Sequence, residues 1–142
     1  MGLLTAVPLH KARIVFAESG ALRVGVVTTA GVGNATSAGV STPYDATPGT
    51  INIIVLVDAH LTRSAMANAI ITVTEAKSAV LNELNIRTPD GLPATGTSTD
   101  TVTVAATGLG STQIYAGPAT VLGWLIGSTV RKAVLDSLLA HA

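Results

Sequence analysis

The sequence has 142 residues, of which 8 are basic and 8 acidic, and no cysteine. That length suits one domain, residues 1–142, able to bury roughly 68–70% of the surface its unfolded chain exposes, so no disulfide or thiolate staple is needed and none can form. Charged residues make up 11% of the chain and aromatic residues 3%, which leaves no basic stripe for a phosphate backbone and few rings to stack bases; nucleic acid is not an expected partner.

The chain opens Met-Gly-Leu-Leu-Thr-Ala-Val-Pro, with no early positive charge and an apolar run too short for a signal peptide. The most apolar stretches, 51–57 and 121–126, fall far short of the ~20 residues a spanning helix needs. A cytoplasmic protein without a membrane span is expected. A surface so poor in charge suggests cover by a partner subunit, so a homo-oligomer is expected too.

Residues 13–18 and 22–28 are β-rich runs split by Ser19-Gly20, which reads as a hairpin. A stretch of Gly, Ala, Thr, Ser and Pro follows over 30–49. Residues 51–57, Ile-Asn-Ile-Ile-Val-Leu-Val, form the nearly continuous apolar run expected of a strand buried on both faces. Thr62 or Ser64 can cap a helix running to about residue 85, with Met66, Ile70, Val73, Val80 and Leu84 as its apolar stripe. A second polar loop spans 85–100. Residues 101–107 read as a strand, Gly108-Leu-Gly110 as a turn, and 111–115 as its hairpin partner. A last helix is predicted over about 119–140, with Leu122, Leu125, Ile126, Val130, Val134 and Leu138 facing the core.

This order predicts an α+β (or α/β) two-layer sandwich: one mixed sheet of about five strands with two long helices on one face. The helix between strands 51–57 and 101–107 is a crossover, which makes those strands parallel. Loops 30–49 and 85–100 then enter their strands at the same edge of the sheet, and the return strand 111–115 brings Tyr115 and Gly117 back to it. Structureless loops beyond ~12–15 residues are uncommon in compact domains unless functional or disordered. That edge is the predicted site.

Several residues there have the chemistry for catalysis, and each also has an ordinary structural role. Lys77 shares the apolar stripe with Ile70, Val73, Val80 and Leu84, so it must snorkel, pair or line a pocket. Glu75, two positions away, faces nearly the opposite side of the helix and is more often solvated in such a place. Residues 95–100, Thr-Gly-Thr-Ser-Thr-Asp, are the densest polar run. Gly96 would let backbone N–H groups approach a ligand, the hydroxyls of Thr95, Thr97 and Thr99 can orient an amide or phosphate oxygen, and Asp100 at the strand mouth can act as a general base. The ordinary alternative is a Thr-rich turn with Asp100 bonded to its own backbone. Asn34, after Gly31-Val-Gly33, can donate to an oxyanion or simply occupy a left-handed turn. His10, His60 and His141 are far apart and lack helical i, i+4 spacing with any ligand, so no metal site is expected. No Gly-x-Ser-x-Gly elbow occurs.

Four segments in order resemble the adenosylcobinamide amidohydrolase family of corrinoid salvage: 28–35 (Thr-Thr-Ala-Gly-Val-Gly-Asn-Ala), 48–54 (Pro-Gly-Thr-Ile-Asn-Ile-Ile), 74–77 (Thr-Glu-Ala-Lys) and 94–100. The run 115–120 with Leu122-Gly123 is similar to the family's entry into its final helix. Relatives in that family are longer at the N-terminus, so this chain is expected to be a short member or a fragment. The resemblance implies hydrolysis of the amide holding the aminopropanol arm of adenosylcobinamide, giving adenosylcobyric acid and 1-amino-2-propanol. The candidate set for catalysis is Asp100 first and Glu75 second to activate water, Lys77 to stabilise the oxyanion, and Thr97 among the hydroxyls that could instead act as nucleophile. For substrate binding it is Asn34, Thr50, Asn52, Thr95, Gly96, Thr99, Tyr115 and Gly117. No metal or cofactor is implied, the corrinoid being the substrate. The alternative is a non-catalytic corrinoid-binding or assembly subunit.

Overall fold

The computed structural model describes residues 2–44 and 47–140; His141 lies outside them. The main sheet contains β1 (Arg13–Ser19), β2 (Leu22–Gly31), β4 (Thr50–Val57) and β7 (Thr101–Ala106), in spatial order β1-β2-β4-β7. Gly20, at φ 58, supplies the left-handed residue of the tight turn between β1 and β2. β2 pairs antiparallel with β4, and β4 pairs parallel with β7 from Asn52↔Thr101 to Val57↔Ala106. Helix α1 (Arg63–Glu83) makes the crossover between these parallel strands. The mixed two-layer architecture therefore matches the sequence expectation.

Alternation along the strands turns Val24, Val26, Ile51, Ile53, Val55 and Val57 toward the helices, where they share one core with Val73, Val80, Leu122, Ile126, Val130 and Val134. Helix α2 (Val121–Leu139) buries all six residues of its expected stripe. Helix α1 is capped as the sequence suggests, with Ala65 N donating to Thr62 Oγ1, and on α2 Gly123 N donates to Thr120 Oγ1. The helices pack side by side, with Arg131 on α2 donating to Glu83 at the end of α1 at 2.6 Å. No described helix is long and apolar enough to cross a membrane.

Five expectations need correcting. The main sheet has four strands rather than about five. Gly108 and Gly110, at φ 74 and 73, swing the chain past the end of the sheet instead of folding it back along β7. Residues of the expected return strand form β8 (Thr112–Gln113), which pairs parallel with β5 (His60–Leu61) beyond the end of β4. The buried face of α1 is not the predicted stripe of large residues. Ala65, Ala69, Thr72 and Ala76 lie inward with Val73 and Val80, while Ile70 is exposed, because small side chains let α2 approach closely. Nor is β4 covered on both faces: Leu56, on the side away from the helices, is 45% exposed. Finally, the two long loops are not structureless. β3 (Ala35–Thr36) pairs antiparallel with β6 (Gly96–Thr97) and stitches one loop to the other.

Candidate active site at the edge where the parallel strands begin

Parallel pairing puts the first residues of β4 and β7 together, and α1 ends beside them. Asn85, at φ 53, terminates the helix in a left-handed conformation that asparagine tolerates. The chain then returns through residues 86–95 to β6. It closes a turn over Thr97, Ser98, Thr99 and Asp100 before entering β7.

Asp100 is the hub of that turn. Its Oδ1 accepts from Ile51 N at 3.1 Å and from the Thr97 hydroxyl. Its Oδ2 accepts from Thr97 N at 3.2 Å and from Lys77 Nζ. The contacts to the Thr97 hydroxyl and Lys77 are short and direct. The Lys77 and Asp100 side chains are only 7% and 14% exposed, so the ion pair is largely shielded from water and holds its geometry. One carboxylate thus ties together α1, β4 and the turn that carries Thr97. Gly96 makes the arrangement possible: a Cβ there would lie 2.5 Å from Asp100 Oδ2 and 2.7 Å from Lys77 Nζ.

The facing loop supplies Asn34. Its side chain is buried, and Nδ2 donates to Ser98 Oγ at 2.7 Å. Its Oδ1 has no hydrogen-bond partner among the described residues. Gly49 lies against that oxygen so closely that any side chain at 49 would displace it, and Tyr44 Oη donates to the Asn34 carbonyl at 3.0 Å. Thr50 Oγ1 donates to Thr99 O and Thr99 Oγ1 to Gly49 O, both at 2.9 Å. Thr95 serves the loop pairing: its hydroxyl accepts from Ala38 N at 2.9 Å, and its carbonyl accepts from Ser78 Oγ at 2.8 Å.

Asn34, Thr50, Lys77, Thr95, Gly96, Thr97, Thr99 and Asp100 therefore gather, although they come from segments far apart in sequence. Glu75 does not join them. It is exposed and lines a groove of about 540 Å³ between the helices with Trp124 and Arg131. Asn52 lies near the start of β4 but points to the other face of the sheet, where Nδ2 donates to Leu4 O at 2.7 Å. Tyr115 and Gly117 are carried away by the β5–β8 pairing. They flank Ala116, whose carbonyl accepts from Thr72 Oγ1 at 2.8 Å, on the approach to the first turn of α2. Ser98 is the residue that sequence reasoning passed over; a serine in a Thr-rich turn carries no periodic signal, and only the Asn34 amide singles it out. His10 and His60 are apart, and no cluster of potential metal ligands occurs among the described residues.

Two cavities flank the Pro48–Gly49 corner. One, of about 640 Å³, is apolar and bounded by Val7, Val32, Leu84, Ile86 and Leu138. The other, of about 690 Å³, runs past Thr50 and Thr99 under the N-terminal residues. A hydroxyl hydrogen-bonded to a carboxylate that a third group orients is the arrangement of an activated oxygen nucleophile.

Fold and site thus define a two-layer α+β domain with a buried, carboxylate-centred polar cluster at one sheet edge. Residues 1–142 match the family model described as adenosylcobinamide amidohydrolase, and the chain belongs to that family. It is 36% identical over 147 residues to an adenosylcobinamide amidohydrolase of Halobacterium salinarum, covering 96% of this chain and 57% of that protein. It is 37% identical over 105 residues to one of Methanosarcina mazei, covering 74% of this chain and 44% of the relative. An uncharacterized protein of Methanocaldococcus jannaschii is 47% identical over 94 residues, 64% of this chain and 36% of that one. The chain spans about half the length of these curated relatives or less.

Proposed function

We propose that this chain hydrolyses the amide bond joining the aminopropanol arm to adenosylcobinamide, releasing 1-amino-2-propanol and leaving adenosylcobyric acid, as a step in the reuse of incomplete corrinoids. The corrinoid is the substrate, and no further cofactor is required. The observation that carries this reading is the Thr97–Asp100–Lys77 relay at an edge flanked by two cavities, in a chain of this family.

Two mechanisms suit a carboxylate there, activation of water or activation of a hydroxyl. The hydrogen bonding favours the second. Both oxygens of Asp100 already hold two donors each, which leaves no free lone pair for a water, whereas the Thr97 proton lies on Oδ1. In the proposed reaction the Thr97 oxygen attacks the amide carbonyl as its proton passes to Asp100. The C–N bond breaks as that proton moves to the leaving nitrogen. Water then attacks the Thr97 ester, gives a proton back to Thr97, and frees the carboxylic acid. Lys77 keeps its charge throughout and holds Asp100 in place. The backbone N–H groups of Thr95, Thr97 and Thr99 are committed within the fold, which leaves the carbonyl oxygen to the Asn34–Ser98 side of the turn.

General-base assistance is typically worth about 10²–10⁴-fold, so Asp100→Asn is expected to retain corrinoid binding and lose most turnover. Full activity in that variant, or loss of activity on chelator treatment, counts against the scheme. A second reading, a corrinoid-binding subunit without turnover, is favoured by the burial of Thr97, which is only 8% exposed. Spectral titration with cobinamide followed by a product assay separates the two. Binding without cobyric acid release selects the binding subunit, and absence of binding removes both.

A further inference from the structure

Ser98 lies at the exposed tip of the turn that Asp100 closes, one residue from Thr97. Its Oγ accepts the amide proton of Asn34 at 2.7 Å. That bond restricts what the hydroxyl can do. An acceptor lone pair is occupied by a buried donor, no carboxylate or imidazole contacts the oxygen, and the O–H proton has no partner among the described residues. Ser98 is therefore set up as a hydrogen-bond donor aimed outward, not as a nucleophile.

The state of Asn34 bears on the same point. Its Oδ1 is buried and unpaired, a condition that natural structures rarely tolerate without a reason. A structural asparagine would satisfy both ends of its amide. This one is clamped by Gly49 and by Tyr44 and satisfies only the end that fixes Ser98.

We infer that Ser98 donates the hydrogen bond that holds the carbonyl oxygen of the scissile amide, with Asn34 as its positioning residue. The inference rests on the hydrolytic reading above and deepens it. Thr97 and Ser98 are consecutive, so a carbonyl whose carbon meets the Thr97 oxygen can present its own oxygen to the neighbouring hydroxyl. As negative charge builds on that oxygen the bond strengthens, so Ser98 contributes chiefly in the transition state.

The test uses the full chain with adenosylcobinamide, measuring amine release and, separately, corrinoid affinity by spectral titration. Losing one oxyanion donor costs about 10²–10³-fold in turnover. Ser98→Ala is expected to lower kcat by that order with KM little changed, and Ser98→Thr, which keeps the hydroxyl, to restore most of it. Asn34→Ala is expected to lower kcat in the same direction and to add nothing in the Ser98→Ala background. Turnover in Ser98→Ala within twofold of the parent overturns the inference while leaving hydrolysis standing. If the parent binds corrinoid and releases no amine, hydrolysis itself falls. Ser98 contact is then judged by affinity: Ser98→Ala binding several-fold more weakly retains it, and unchanged binding overturns it.

Discussion

Lys77 and Asp100 stand 23 residues apart in the sequence and form a buried ion pair that joins the crossover helix to the strand it leads into. Removing one partner of such a pair leaves an uncompensated charge inside, which costs about 3–5 kcal/mol. Lys77→Met should therefore lower the urea midpoint substantially. Adding Asp100→Asn should recover part of the loss, since both charges are then gone. Single and double variants that simply add would show that the pair is not coupled.

Gly96→Ala probes the same cluster from the backbone. The added methyl meets Asp100 Oδ2 and Lys77 Nζ at 2.5 and 2.7 Å, and overpacking of this kind typically costs about 1–3 kcal/mol. The carboxylate must shift away from Thr97, so turnover should fall further than stability. An alanine variant with parental activity would mean that the position of Asp100 is unimportant.

The cap of α2 gives a local control. Thr120→Ala removes the acceptor for Gly123 N and should cost about 1 kcal/mol. The change lies at the far end of the helix from the cluster, so kcat should stay near the parent value. A thermal melt with a kinetic assay checks both parts.

Self-association is expected from the composition, since charged residues are 11% of the chain against about 25% in an average globular protein. Among the exposed apolar side chains of the described residues, two places lie on the main sheet and on α2. Phe16, 74% exposed, lies with Ile14 and Leu56 on the uncovered face of the sheet, and Trp124, 62% exposed, projects from α2. Light scattering at micromolar concentration should report a dimer. Phe16→Glu and Trp124→Glu identify which patch is buried, and a monomer at that concentration removes the expectation.

The sequence carried the part of the site that depends on connectivity. A helix between two strands demands parallel pairing, and parallel pairing alone brought the Asn34 and Asp100 loops together. Lys77 lies inward between Val73 and Val80, one of the outcomes its stripe allowed, although Ile70 of that stripe is exposed. What escaped depended on direction and size. The two glycines at 108 and 110 mark a turn in either case, but only their dihedral angles send Tyr115 away from the edge. The buried face of α1 is built on alanines, which weigh little in a hydrophobic pattern and decide how closely helices approach. Ser98 had no signal of its own, since its role comes from an amide 64 residues away.

The central claim is that the Thr97 oxygen, activated by Asp100, attacks the amide. It is tested most directly by comparing release of 1-amino-2-propanol from adenosylcobinamide by the parent, Thr97→Ser and Thr97→Val. Valine matches the shape of threonine without the hydroxyl, so a folded Thr97→Val should bind the corrinoid and release no amine, while Thr97→Ser stays active. Amine release by Thr97→Val at the parental rate would contradict the account.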